Sequence, residues 1–123
     1  MKRNLNLYFE DILEAIKLIR RYIENSSLEK FRRDIKLQDA VIRRLEIIGE
    51  SMKKLPEEIK NNYPSTRWDD FIASRNFFAH IYFGVNVDRV WGIIKNYLPD
   101  LESEILKIKK DLLKNEKNNF KTK

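Results

Sequence analysis

The chain has no cysteine, a single histidine, three glycines and three prolines in 123 residues. Without cysteine there is no disulfide and no thiolate metal site, and one histidine makes a histidine-rich zinc or iron centre within one chain untenable. No structural metal and no cofactor are expected. The scarcity of glycine and proline leaves few interior positions that resist helix. Long apolar runs are missing too. The opening stretch MKRNLNLYFEDILEAIKLIRRYI is broken by Glu10, Asp11, Glu14 and Lys17, which argues against a signal peptide or a membrane span. A cytoplasmic protein with no membrane partner is the expectation. Strand-like alternation is also absent, so apolar spacing must be read at the helical period.

What is present suits one helical domain, since 42% hydrophobic and 11% aromatic residues can fill a core. Tyr8, Ile12, Ala15, Ile16, Ile19 and Ile23 form the stripe of a first helix ending near Asn25. Ser26 or Ser27 can cap a short helical piece, LEKFRRD, after which Asp34 or Lys36 opens a long helix to about Leu55. Its inward residues are Leu37, Ala40, Val41, Leu45, Ile48 and Met52, and Gly49 suggests a neighbouring backbone coming close. Pro56 suits the first turn of a short helix, PEEIKNNY, and Pro64 stops it. A further helix starts near Trp68 or Asp69 and ends around Phe83 and Gly84. Asn86 can cap the last stretch, which carries Val87, Val90, Trp91, Ile94 and Leu98, then Leu101, Ile105, Ile108 and Leu112. Between these groups Pro99 implies a kink or a fresh helix start. The expected fold is all-α: an antiparallel bundle of about four long helices plus short ones, spanning residues 1–114.

Net charge is +6, but seven lysines against Asp111 and Glu116 from Lys107 to Lys123 make +5 of it. The rest of the chain is therefore close to neutral, and residues 115–123 are expected to be a basic, disordered tail. Such a tail can hold nucleic acid without sequence preference, and it equally describes a solvated helix end.

The stretch SRNFFAHIYF holds the single histidine, His80. On a helix Asn76 and His80 are neighbours on one face, so the amide can orient the imidazole. Arg75 and Tyr82 share another stripe, whereas Arg75 and His80 stand about 140° apart around an ideal helix and about 7.5 Å apart along it. These two do not make a compact site unaided. Either the arginine wraps round, the helix loosens, or a second copy supplies the missing half by two-fold packing. A histidine that relays protons near neutral pH and an arginine fork for phosphate oxygens fit metal-free phosphodiester chemistry, with the 2′-hydroxyl of RNA as nucleophile. A histidine among Phe77, Phe78, Ile81 and Phe83 equally describes a core residue, so the residues alone leave both readings open.

The segment RNFFAHIYFGVNVDRVW resembles the RxxxxHxY signature of HepT-like toxins of the HEPN superfamily. YFEDILEAIKLIRRYI, FRRDIKLQDAVIRRLEIIGESMKKLPEEIKNNYP and VWGIIKNYLPDL are similar to the neighbouring blocks of that family, in order, over roughly residues 7–101. The resemblance implies a HEPN-like helical bundle that forms a homodimer, bringing two RxxxxH motifs into one cleft. It also implies a metal-independent endoribonuclease, the toxin of a type VII toxin–antitoxin system, paired with a minimal nucleotidyltransferase antitoxin. Carried over by residue, Arg75 stabilises the scissile phosphate of the RNA, His80 is general acid or base, and Asn76 supports them. Tyr82 matches the tyrosine that the antitoxin modifies with AMP, an adduct that blocks RNA by bulk and charge. A non-catalytic helical dimer that presents substrate or nucleotide to a nucleotidyltransferase is the alternative. Two departures from similar sequences are Asn86, where aspartate is common, and Thr66-Arg67, where Ile-Pro is frequent. Arg67 thereby adds a basic group near the cleft.

The remaining polar residues read as structural. Glu46 and Glu50 are expected to pair with Arg43, Arg44 or Lys53, and Asp69 and Asp70 to complement the dipole of the motif helix. Trp68 and Trp91 are expected in core or dimer contacts rather than as base-stacking platforms.

Overall fold

Short polar residues start the first three helices, Ser27 and Asp34 at places the sequence offers and Asn4 in addition. A computed structural model describes residues 4–79 and 86–121, with side chains at 4–73 and 86–115. Helix α1 (Leu5–Ile23) begins where the Asn4 side chain accepts from the Asn6 backbone N–H at 2.9 Å. Helix α2 (Leu28–Arg33) is capped by Ser27, whose hydroxyl accepts from the Lys30 N–H at 3.2 Å. Helix α3 (Ile35–Lys54) is capped by Asp34, which accepts from the Leu37 N–H at 3.0 Å. Each such cap satisfies one amide that the helix leaves open and contributes about 1 kcal/mol. Pro56 stands just outside helix α4 (Glu57–Asn62), where its missing N–H leaves nothing unsatisfied.

Helix α5 (Trp68–Ala79) carries the start of the motif, with Asp69 and Asp70 in its first turn as expected. Helix α6 (Val87–Asn96) is followed by Tyr97 alone and then by helix α7 (Leu98–Lys121). Pro99 thus lies in the first turn of a new helix, because its ring nitrogen cannot continue the hydrogen-bond ladder of α6. Backbone helix continues to Lys121, into the segment set apart above as a tail. Asn86 corrects one expectation. It occupies the N-cap of α6, but its side chain makes no capping hydrogen bond, and its backbone is left-handed at φ 45°. Asparagine tolerates that conformation better than most residues, so here it serves as a turn residue.

The described residues form seven helices and no strand. α3 is central, with α1 and α5 as its main neighbours, while α7 packs on α1 and α6, and α2 bridges α3 and α6. Arg20 pairs with Glu102 at 2.6 Å and Glu10 with Lys109 at 3.6 Å. Those two pairs run in opposite chain order, so α1 and α7 are antiparallel. Ile12, Ile16, Val41, Leu45, Ile48, Met52, Val90, Ile105 and Ile108 are buried in one core, as their spacing implies. Each fully buried side chain of this kind contributes about 1.5–3 kcal/mol. Phe9 and Ile42 are also fully buried, beyond the stripes read from the sequence, and Tyr8, Ile23 and Leu37 are only partly covered. α3 has neighbours on two sides, so its buried arc is wider than a single stripe.

Polar contacts tie the connections down. Arg32 holds Asp88 with two hydrogen bonds, 2.8 Å from Nε and 2.7 Å from an Nη nitrogen, fixing the start of α6 against the end of α2. The hydrogen bonds from Arg32 hold the Asp88 carboxyl below the ordinary carboxylate range. Beside this pair Phe31 and Trp91 pack ring to ring at 5.3 Å, which makes Trp91 a packing residue. The Tyr63 hydroxyl donates to Asp111 at 2.9 Å, joining the α4–α5 connection to α7. Burial first, and this hydrogen bond second, push the tyrosine pKa up. No helix among the described residues is long and apolar enough to cross a membrane.

Candidate active site and the groove beside it

α5 is anchored at its start. Thr66 is buried, and the Trp68 indole N–H donates to the Tyr63 carbonyl at 3.0 Å. Trp68 and Phe71 are both buried. Arg75 stands seven residues after Trp68 and four after Phe71, on the stripe of α5 that these buried residues begin. Asn76 stands four residues after the partly buried Ile72, on the adjoining stripe. An arginine in register with a tryptophan and a phenylalanine of the core departs from the apolar pattern that packing alone selects. The polar pair therefore begins where the apolar stripe stops. His80 and Tyr82 lie outside the described residues.

Asn96, Tyr97, Gly92 and Arg89 of the α6 side face Arg67, Asp70 and Phe71 of the α5 side across a groove of about 670 Å³. The Arg67 guanidinium lies over the Tyr97 ring, 4.5 Å from its centroid, and also approaches Asp70 at 3.7 Å. Tyr97 is 40% exposed. Among the described residues a Cβ at Gly92 would meet only the Asn96 side chain, at 3.9 Å, so the glycine leaves space on the floor of the groove. Arg89, Gly92, Ile93, Asn96 and Tyr97 recur at three- and four-residue spacing, on a face adjoining the one that buries Val90 and Ile94. The spacing of that second face is visible in the sequence, but its pairing with the start of α5 is not.

The acidic residues behave as expected of structural groups. Arg43 reaches Glu46 at 3.4 Å and Glu50 at 3.9 Å. Among the described residues no cluster of three or more acidic or histidine side chains could hold a metal ion.

The model of the family described as "Ribonuclease HepT-like" matches residues 12–108 of the chain. The chain belongs to this family. HepT-like proteins similar to it include the "Probable ribonuclease HepT" of Thermococcus cleftensis, 41% identical over 110 residues, which are 89% of this chain and all of that one. The "Gamma-glutamylcyclotransferase and putative RNase" of Methanocaldococcus jannaschii is 40% identical over 120 residues. That match covers 98% of this chain and 54% of the longer protein, so the chain spans about half of that relative's length. No solved structure matches the chain significantly. Enzyme class follows from the family: this is a HepT-like ribonuclease domain, with RNA as the substrate class that the family description names. The matched region begins within α1 and ends within α7, so it contains the whole of α5 and the groove.

Proposed function

We propose that the chain is the toxin of a type VII toxin–antitoxin system, a metal-independent endoribonuclease that acts as a homodimer. The observation that carries this reading is family membership together with Arg75 and Asn76 at the point on α5 where the buried stripe turns polar. In a dimer, two copies of α5 facing one another across a cleft let Arg75 of one stand near His80 of the other, removing the separation that a straight helix imposes. RNA supplies the nucleophile. Its 2′-oxygen forms a bond to phosphorus as the bond from phosphorus to the 5′-oxygen breaks. One His80 takes the 2′-hydroxyl proton, and the other gives a proton to the leaving 5′-oxygen. Arg75 stabilises the charge that builds on the phosphate oxygens, and Asn76 orients the imidazole. The products are a 2′,3′-cyclic phosphate end and a 5′-hydroxyl end.

Control is assigned to Tyr82 and a minimal nucleotidyltransferase antitoxin. The tyrosine oxygen attacks the α-phosphorus of ATP, pyrophosphate leaves, and the AMP on the ring places a bulky anion two residues from His80.

The test is cleavage of RNA by the purified chain in EDTA, with the cyclic phosphate end detected by its resistance to direct polyadenylation. His80→Ala protein, folded by circular dichroism, is expected to be inactive. Undiminished cleavage by that variant would sink the mechanism, and a wild-type dimer that binds its antitoxin but cuts no RNA would make the chain a non-catalytic presenter. Labelling with α-phosphate-labelled ATP and the antitoxin is expected on wild type and absent on Tyr82→Phe.

A further inference from the structure

We infer that the groove between α5 and α6 is the track for the single-stranded RNA that flanks the scissile phosphate, with Arg67 and Tyr97 as its platform. This inference rests on the ribonuclease reading above and adds to it a site outside the motif. Three observations point the same way. First, among the described residues the lining carries two guanidiniums, Arg67 and Arg89, against one carboxylate, Asp70, in a chain whose other excess charge is concentrated at its end. Second, Tyr97 is a large aromatic left 40% exposed, and it stands directly beneath the Arg67 guanidinium at 4.5 Å. An aromatic ring paired with an arginine plane at the wall of a cationic groove suits stacked bases and a passing backbone, without reading sequence. Third, the groove lies along the motif helix. Arg67 precedes Arg75 by eight residues, about 12 Å of helix, and Phe71 of the lining is one turn before Arg75. A strand seated on Arg67 and Tyr97 therefore extends toward the proposed chemistry.

Gly92 makes the groove testable without damage to the core. Among the described residues a Cβ there meets only Asn96, a residue of the groove lining and not of the packed interior. The α6 backbone also gains from losing a mid-helix glycine.

The experiment is fluorescence anisotropy with a 2′-O-methyl single-stranded oligonucleotide, which lacks the attacking hydroxyl and so reports binding apart from cleavage. Tyr97→Ala is expected to weaken binding about tenfold, within the range for a lost stacking platform. Arg67→Ala is expected to lower the slope of log affinity against log salt by about 0.7, the value for one phosphate contact on a single strand. Asp70→Asn is expected to tighten binding, and Gly92→Leu to weaken it with no fall in thermal midpoint. Unchanged affinity and salt slope in folded Arg67→Ala and Tyr97→Ala proteins would overturn the assignment. So would unchanged RNA affinity with loss of the antitoxin complex, which would give the groove to a protein partner. Wild type that binds through this groove yet cuts no RNA removes the ribonuclease reading and keeps the groove. Wild type that cuts RNA with a KM indifferent to all four substitutions does the reverse.

Discussion

α1 and α5 both pack against α3, yet they reach it by different means. In α1 the apolar residues Ile12, Ala15, Ile16 and Ile19 share one buried face, and charged residues fill the other. α5 shows little such division: Trp68 and Phe71 are buried, and the same stripe continues into Arg75. α1 is thus oriented by its own pattern, whereas α5 is held by the anchor at its first turn and by its neighbours. A helix whose packing is secured at one end can carry polar residues at the other, and in this chain those residues are the candidate catalytic ones.

Exchanging the insults between the two helices tests that division. Arg75→Ala is expected to lower the rate of RNA cleavage by about 100-fold or more, the usual loss when a group that stabilises transition-state charge is removed. Its thermal midpoint should stay near that of wild type, and a large drop would make Arg75 a structural residue. Ile16→Ala should behave in the opposite way. Ile16 is buried at 1% exposure, so truncation is expected to cost about 2–5 kcal/mol in urea denaturation, while the protein that remains folded keeps its cleavage rate.

Smaller effects separate the two faces of α6. Gly92→Ala is expected to stabilise by about 0.5–1 kcal/mol, because a mid-helix glycine is replaced where a Cβ has room. A loss of stability on differential scanning would mean that the floor of the groove is tighter than its geometry indicates. The smallest effect belongs to the exposed Arg32–Asp88 pair. Its folded-state carboxylate pKa is lowered, so its contribution is fully present above the unfolded value near about pH 4 and disappears as pH falls through the lower folded value. The difference in thermal midpoint between wild type and Asp88→Asn should therefore close on acidification. A gap that persists well below that range would assign the effect of the substitution to something other than this charge.

Much of the architecture was legible because it rests on local rules. Ser27 and Asp34 cap their helices since short polar side chains reach the open amides one turn ahead, and Pro99 starts a helix since it has no N–H to continue one. Phe9 and Ile42 escaped the stripes because burial depends on how many helices surround a segment, which periodicity cannot count. Asn86 differs from the expectation for another reason: whether such a residue caps with its side chain or turns with its backbone depends on its own φ and ψ, which residue type alone does not fix. Arg75 and Asn76 are legible through a local motif and Arg67 as a basic departure near the cleft, whereas the pairing of Arg67 with Tyr97 beside Gly92 is not, because that relation crosses from the start of α5 to the end of α6.

The sequence by itself determined the helical class, most helix starts, the family and the identity of the motif, since propensity, capping and spacing act over a few residues and a motif is local. Tertiary structure decided which faces are covered on two sides, that α1 and α7 run antiparallel, and that Arg67 lies over Tyr97 across an open groove. Those are relations between residues far apart in the chain, and only the packing of one helix on another brings such residues within reach.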